Sequence, residues 1–125
     1  MAECKIGVVG VGKMGEYHVG VLSDIREAEL VGIVDSDQKR AKIVSERYKT
    51  SNYKDYKDLF KKIDAVVVAV PTSMHYSIGK EFIEAGIHTL LEKPCTDDLE
   101  QAEELFDIAA KKNVTLHIGH VERFN

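Results

Sequence analysis

Short runs of consecutive apolar residues alternate with segments of helical periodicity along the whole chain. The apolar runs cover Lys5–Val9, Glu29–Val34, Ala65–Val70, His88–Glu92 and Thr115–Ile118. Runs that are apolar at consecutive positions are typical of strands buried on both faces of a sheet. Strands that alternate with helices are joined by right-handed crossovers into a parallel sheet. The pattern therefore predicts an α/β fold, a doubly wound parallel sheet with helices on both faces.

The segments between the apolar runs predict four helices. The first packs inward through Met14, Tyr17, His18, Val21 and Leu22, at helical spacing. The second follows a cap at Ser36 or Asp37 and packs through Ala41, Val44 and Tyr48. The third ends at Gly86 and packs through Ile78, Phe82, Ile83 and Ala85. The fourth has Asp97 as its N-cap, with Glu100 at capping-box spacing, and packs through Leu99, Ala102, Leu105, Phe106 and Ala109. A short strand near Ser51–Tyr53 and a helical turn near Tyr56–Lys61 complete the pattern.

Composition narrows the classes of partner. The chain has 125 residues, enough for one domain with one core, and its 44% hydrophobic and 30% charged residues are typical of a globular protein. A net charge of −4 without a basic cluster argues against binding to nucleic acid or to an anionic membrane. Cys4 and Cys95 lack the spacing of metal ligands, so we expect reduced thiols and no metal site. The first apolar run is too short for a signal peptide or a membrane span, so we expect a cytoplasmic protein.

The first strand leads directly into a glycine motif. Gly10, Gly12 and Gly15 occupy all three positions of G-x-G-x-x-G, and a helix begins near Lys13 and Met14. In a Rossmann-type fold the first glycine allows the tight turn, the second lets the backbone approach a pyrophosphate, and the third lets the helix pack closely. The N–H groups at the start of the helix then receive the phosphates. The motif therefore predicts a dinucleotide site.

Asp35 ends the second strand and predicts which dinucleotide binds. A carboxylate there accepts hydrogen bonds from the ribose hydroxyls of NAD and repels the 2′-phosphate of NADP. The nearest cationic residues, Lys39 and Arg40, are expected on the exposed side of the second helix. We therefore expect NAD to be preferred over NADP.

Two further strand ends carry polar residues. Pro71–His75 follows the third long strand, and Glu92-Lys93-Pro94 follows the fourth. The carboxyl ends of parallel strands are where ligands bind in such sheets. Lys93 is therefore a candidate for hydrogen bonding to a substrate hydroxyl and for proton exchange, although a lysine in an exposed loop would give the same sequence. His75 is as consistent with a structural role as with a functional one.

These motifs together resemble one family of oxidoreductases. The Gly10–Gly15 motif, the run Val70–His75 and Glu92-Lys93-Pro94 are similar to the glucose-fructose oxidoreductase, inositol dehydrogenase and MocA (Gfo/Idh/MocA) family over essentially the whole chain. The resemblance implies hydride transfer between nicotinamide and a secondary alcohol of a sugar, nucleotide sugar or cyclitol. The ending Gly119–Asn125 resembles members that act as UDP-N-acetylglucosamine 3-dehydrogenases.

The resemblance also implies roles for individual residues. Lys93 would be the catalytic lysine, in contact with the reacting hydroxyl and the nicotinamide ribose, and the Lys93–Pro94 bond is a candidate cis peptide. Glu92 would meet the nicotinamide ribose or support Lys93. The residues that would line the path of the cofactor are Val70, Pro71 and Thr72, with His75 nearby.

Members of the family continue into a second α/β domain, which carries the catalytic histidine with its acidic partner and builds the oligomer interface. We therefore expect residues 1–119 to be the dinucleotide-binding domain and residues 120–125 to start the connection to a substrate domain that this chain lacks. The chain alone would bind NAD but would be inactive, and a homo-oligomer is expected only of a full-length form. His18, His88 and His117 are interpreted as core or edge residues, and His120 could touch the nicotinamide side.

Two alternatives compete with this interpretation. Some relatives in the family act as regulators, so the chain could be a non-catalytic module that senses a dinucleotide, although such a module would not need Lys93. A methyltransferase that binds S-adenosylmethionine also has a glycine-rich first loop and an acidic residue after its second strand, but that class does not explain Glu92-Lys93-Pro94.

Overall fold

The computed structural model describes residues 4–92 and 98–119 of the chain. In this part of the chain six strands form one sheet in the order β3-β2-β1-β4-β5-β6. The strands are β1 (Cys4–Val9), β2 (Ala28–Val34), β3 (Ser51–Tyr53), β4 (Ala65–Val68), β5 (His88–Leu91) and β6 (Leu116–Ile118). The helices are α1 (Lys13–Asp24), α2 (Gln38–Tyr48), α3 (His75–Glu84) and α4 (Leu99–Lys112), with 3₁₀ turns at Tyr56–Leu59 and Thr72–Met74. Every strand pairing is parallel, which confirms the predicted doubly wound α/β fold.

The sheet is buried on both faces. Val8 and Val67 belong to one core cluster, together with Val19 of α1 and Val44 of α2. The residues next to them along the strands, Val9, Val66 and Val68, belong to a second cluster. That cluster also contains Phe82 of α3 and Leu105 of α4. Adjacent residues of a strand thus point into opposite cores, which explains why the central strands are apolar at consecutive positions.

The predicted inner face of α1 is wrong in part. Met14, Tyr17 and Val21 are 37%, 48% and 41% exposed, and the buried residues of the helix are Gly15 and Val19. The helix meets the sheet through Gly15 and Val19, so Met14, Tyr17 and Val21 lie toward its exposed side. Val21 and Leu22 there line a largely apolar cavity of about 300 Å³ against β4, β5 and β6.

Several element boundaries also differ from the predictions. The N-cap of α4 is Asp98, which accepts a hydrogen bond from the N–H of Glu100, and the predicted cap Asp97 lies outside the described residues. Two residues predicted on the inner face of α4, Leu99 and Phe106, are 75% and 46% exposed. Strand β4 ends at Val68, two residues before the predicted end at Val70.

Two predicted helix ends are confirmed. Asp37 caps α2 by accepting hydrogen bonds from the N–H groups of Lys39 and Arg40. Gly86 follows α3 with a φ of +83°, which a residue with a side chain rarely adopts. Within the described residues, no helix has the length and apolar character needed to cross a membrane.

Candidate functional site

Gly10 and Gly15 are required by the backbone of the first turn. Gly10 has a φ of +91°, and a Cβ added there would lie 2.7 Å from the carbonyl oxygen of Ala69. A Cβ at Gly15 would lie 1.7 Å from the carbonyl oxygen of Gly10. Strand β1 and helix α1 therefore meet backbone against backbone, and no side chain fits between them.

Gly12 differs from the other two glycines. It is the N-cap of α1, and the nearest atom to a Cβ built there is Cζ of Arg40, at 4.0 Å. The fold therefore leaves room for a side chain at this position. A glycine that the fold does not need, at the N-terminus of a helix, leaves open the space that a bound phosphate group would occupy.

A cavity of about 610 Å³ opens in front of this turn, at the carboxyl ends of β1, β2 and β4. Its volume lies within the range of small-molecule and cofactor sites. Several of the predicted cofactor-binding residues line it: Gly10, Gly12, Lys13, Met14, Asp35, Val70 and Pro71. The structure thus brings the glycine turn, the acidic residue after β2 and the loop after β4 to one cavity.

Asp35 is 5% exposed and holds the loop together. Its Oδ2 accepts a hydrogen bond of 2.7 Å from the N–H of Val11, between the first two glycines, and its Oδ1 accepts one of 2.7 Å from the N–H of Asp37. Burial raises the pKa of the Asp35 carboxyl, but the hydrogen bonds that it accepts and the Arg40 charge outweigh burial, so the net pKa lies below its usual value. The carboxylate is therefore charged at neutral pH.

Arg40 lies on the exposed side of α2, as expected, but its side chain also reaches Asp35. Its Nη2 donates to Oδ1 of Asp35 at 3.2 Å and its Nε donates to Oδ2 at 3.3 Å. The capped first turn of α2 brings this residue back over the carboxylate, although its side chain stays 48% exposed.

Lys54 and Tyr56 also line the cavity, and sequence reasoning missed both. Val34 of β2 pairs with Tyr53 of β3, so the residue after β3 is level with Asp35 at the same edge of the sheet. The sequence predicted a strand at Ser51–Tyr53, but only the strand order of the structure shows that this strand lies beside β2.

His75 and Thr72 belong to the segment that follows β4. The buried His75 ring donates from Nε2 to the carbonyl oxygen of Val70 at 2.8 Å, and it does not line the cavity. Thr72 starts the 3₁₀ turn that leads into α3. A direct contact of either residue with a cofactor stays a prediction.

Glu92 is hydrogen-bonded to His18 of α1. The two residues are far apart in the sequence, so their spacing could not predict this contact. The His18 Nε2 and the Glu92 carboxylate are hydrogen-bonded, and both side chains are largely buried. The expected contact of Glu92 with Lys93 is not tested, because residues 93–97 and 120–125 lie outside the described residues. Lys93, the Lys93–Pro94 bond, Cys95 and His120 belong to these segments. In the part of the chain that is described, no group of three or more His, Cys, Asp or Glu side chains could hold a metal ion.

The sequence matches a family model over residues 4–120, described as an oxidoreductase family with an NAD-binding Rossmann fold. The chain belongs to the Gfo/Idh/MocA family. It is 33% identical over 123 residues to the UDP-N-acetylglucosamine 3-dehydrogenase of Acidithiobacillus ferrooxidans. That match covers 98% of this chain and 39% of the relative. The structure of the same enzyme superposes with a TM-score of 0.92, over 98% of this chain and 40% of the other.

Two further solved structures that are similar to this chain contain a cofactor. GenD2 from gentamicin A biosynthesis, in complex with NAD, is 28% identical with a TM-score of 0.92 and covers 95% of this chain and 35% of its own. KijD10, a 3-ketoreductase from Actinomadura kijaniata in complex with NADP and TDP-benzene, is 29% identical with a TM-score of 0.87 and covers 94% and 37%. This chain therefore spans about two fifths of the length of these relatives, and residues 4–120 match the NAD-binding Rossmann fold of the family.

Proposed function

We propose that residues 1–119 bind NAD for an oxidoreductase that transfers a hydride between nicotinamide and a secondary alcohol of a sugar, nucleotide sugar or cyclitol. The observation that carries the proposal is the open position at Gly12, where the fold leaves room for a side chain at the N-terminus of α1 but the sequence has a glycine. Family membership and the dehydrogenases among the relatives support the class of reaction. The residues after 119 would begin the connection to the substrate domain.

Each element of the site has a part in holding the cofactor. The N–H groups at the start of α1, with Lys13 and Met14, would receive the pyrophosphate, which the positive end of the helix dipole favours. Asp35 would accept hydrogen bonds from the ribose hydroxyls, and its negative charge favours NAD over NADP. Val70 and Pro71 would line the path of the cofactor between adenosine and nicotinamide. The hydrogen bond from His75 to the Val70 carbonyl oxygen would hold this loop in place.

The reaction itself would take place beyond β5. Bound NAD supplies the hydride acceptor, or NADH the donor, at the nicotinamide ring. Lys93 would hydrogen-bond the substrate hydroxyl and take its proton as the alcohol is oxidised, and Glu92 would meet the nicotinamide ribose or support Lys93. The substrate's other contacts would come from the part of the relatives that this chain does not span.

Calorimetric titration of residues 1–125 with NAD tests the proposal. We expect saturable binding, and little or no turnover with any polyol. Gly12→Ala should weaken NAD binding by about tenfold or more, because its methyl group fills the phosphate position, while its melting temperature stays close to that of the wild type. Gly20→Ala, an alanine replacement within the same helix, is the matched control. A folded wild-type domain that does not bind NAD, or a Gly12→Ala variant that binds as well as the wild type, would overturn the proposal.

A further inference from the structure

Glu92, directly after β5, has a buried carboxylate with one hydrogen-bond donor among the described residues. The residue is 6% exposed, and the donor is Nε2 of His18, which bonds to Oε2. A buried charge is costly without a partner, so the imidazole is what allows the carboxylate to stay at this place. The other oxygen, Oε1, accepts no hydrogen bond from the described residues. Because none of their buried side-chain oxygens lacks a partner, Oε1 must keep an opening to solvent.

The Glu92 carboxylate lies between α1 and the residue that follows β6. A Cβ built on Gly119 would lie 3.5 Å from both Oε1 and Oε2, so the backbone of Gly119 passes beside the carboxylate. The N–H of Gly119 donates to the carbonyl oxygen of Leu91 at 2.8 Å, which holds the ends of β5 and β6 together. Gly119 has no side chain with which to bind the carboxylate. The direction in which Oε1 points therefore depends on His18.

Glu92 stands one strand beyond the wall of the proposed cofactor cavity. Its N–H donates to the carbonyl oxygen of Val68 at 3.2 Å, so Glu92 is level with Ala69, which lines that cavity. The cavity runs from Asp35 after β2, past the glycine turn after β1, to the end of β4. A dinucleotide lies across the strand ends with its adenosine ribose at the acidic residue after β2. The next strand in the other direction is β5, so its second ribose would approach Glu92.

We propose that His18 is a positioning residue for the nicotinamide half of the site. It binds Oε2 of Glu92 and so keeps Oε1 turned toward the nicotinamide ribose, whose hydroxyl donates a hydrogen bond to it. The inference rests on the proposed function, because it concerns the second half of the same cofactor. Helix α1 thus serves both halves of the cofactor, the phosphates through its N-terminus and the second ribose through His18.

The test is to titrate residues 1–125 with ADP, ADP-ribose and NAD in the same buffer. ADP lacks the second ribose, whereas ADP-ribose has that ribose without the nicotinamide. His18→Ala should weaken the binding of NAD and of ADP-ribose by about tenfold, because hydrogen bonds to charged groups are strong. The affinity for ADP should stay within about twofold of the wild type. A merely structural role of His18 would weaken all three ligands alike.

A conservative variant should rescue the binding. The amide Nε2 of glutamine is an N–H donor as many bonds from the backbone as Nε2 of histidine, so His18→Gln should bind NAD within about threefold of the wild type. Equal losses in His18→Gln and His18→Ala would contradict a role for the hydrogen bond.

Removal of Glu92 shows whether His18 acts through it. Glu92→Leu leaves no buried charge without a partner, so it folds even where His18→Ala does not, and it should lose the same tenfold in NAD affinity. In the double variant, His18→Ala should add no further loss, because the residue through which it acts is already absent. A further tenfold loss in the double variant would overturn the inference.

His117→Ala is the matched control, since it removes an exposed histidine from β6. Its affinities for all three ligands should stay within about twofold of the wild type. A Glu92→Leu variant that binds NAD as tightly as the wild type, or a wild type that binds ADP as tightly as NAD, overturns the inference. A wild type that binds none of the three ligands overturns the proposed function instead. Circular dichroism at the temperature of the titration verifies that each variant is folded.

Discussion

His18 and Glu92 join the first helix to the carboxyl end of β5, although 74 residues separate them in the sequence. The imidazole Nε2 donates to the carboxylate, and the two side chains are 14% and 8% exposed. The N-terminus of the same helix faces the proposed phosphate position, and the residue after Glu92 is the proposed catalytic lysine. This contact therefore links the part of the domain that would hold the cofactor to the part that would act on the substrate.

Removal of the histidine should destabilise the domain. His18→Ala leaves a buried carboxylate without its imidazole donor, so we expect the free energy of unfolding to fall by about 1–3 kcal/mol. Urea denaturation followed by circular dichroism measures the change. His117→Ala, at an exposed position of β6, is the control, and equal losses in the two variants would contradict the importance of the contact.

Two alanine substitutions in α1 should act in opposite directions. Gly15→Ala places a methyl group 1.7 Å from the carbonyl oxygen of Gly10, so the helix must move and we expect a loss of about 3 kcal/mol or more. Gly20→Ala meets only Tyr48 side-chain atoms at 3.5 Å or beyond, and should stabilise the helix interior by about 0.5–1 kcal/mol. Thermal unfolding of both variants tests the pair, and a tolerated Gly15→Ala would mean that α1 is not held against β1 as described.

The charge of Asp35 should make the stability of the domain depend on pH. The folded-state pKa lies below the unfolded value of about 3.9, so below that pH the unfolded chain binds the proton first. The contribution of Asp35 to stability is therefore fully present above about pH 4 and is lost as the pH falls through the lower, folded-state pKa.

Urea unfolding at a series of pH values compares the wild type with Asp35→Asn. The wild type should be the more stable protein at pH 7, and the difference should shrink as the pH falls below about 4. Asp107→Asn, at an exposed position of α4, should show no such convergence. A difference between the wild type and Asp35→Asn that stays constant with pH would mean that the Asp35 charge does not contribute.

The strands and the glycine turn were predictable because each depends on local sequence. Consecutive valines in β1 and β4 indicated strands buried on both faces, and the alternation with helices predicted parallel pairing. The position of Asp35 at the end of β2 also followed from its apolar run. The inner face of α1 could not be predicted from apolar spacing, because close backbone contact at Gly15 decides which side of that helix meets the sheet.

The remaining parts of the site depend on contacts between distant elements. The contact between Arg40 and Asp35 depends on where the capped turn of α2 begins, and Lys54 reaches the cavity because β3 lies beside β2. The partnership of His18 with Glu92 requires α1 to cross toward β4 and β5. Spacing along the chain contains none of these distances, so only the folded arrangement reveals them.

The hydrogen bond from the N–H of Val11 to Asp35 has a consequence for attempts to redesign the cofactor preference. The same carboxylate that would bind the ribose also fixes the conformation of the glycine turn. The residues that would bind the ribose and those that would bind the pyrophosphate are therefore joined by a hydrogen bond. Replacing Asp35 to admit NADP would loosen the pyrophosphate cradle at the same time. Exchanging Lys54 instead, which lines the same cavity from the segment after β3, would leave the hydrogen bonds from Val11 and Asp37 to this carboxylate in place.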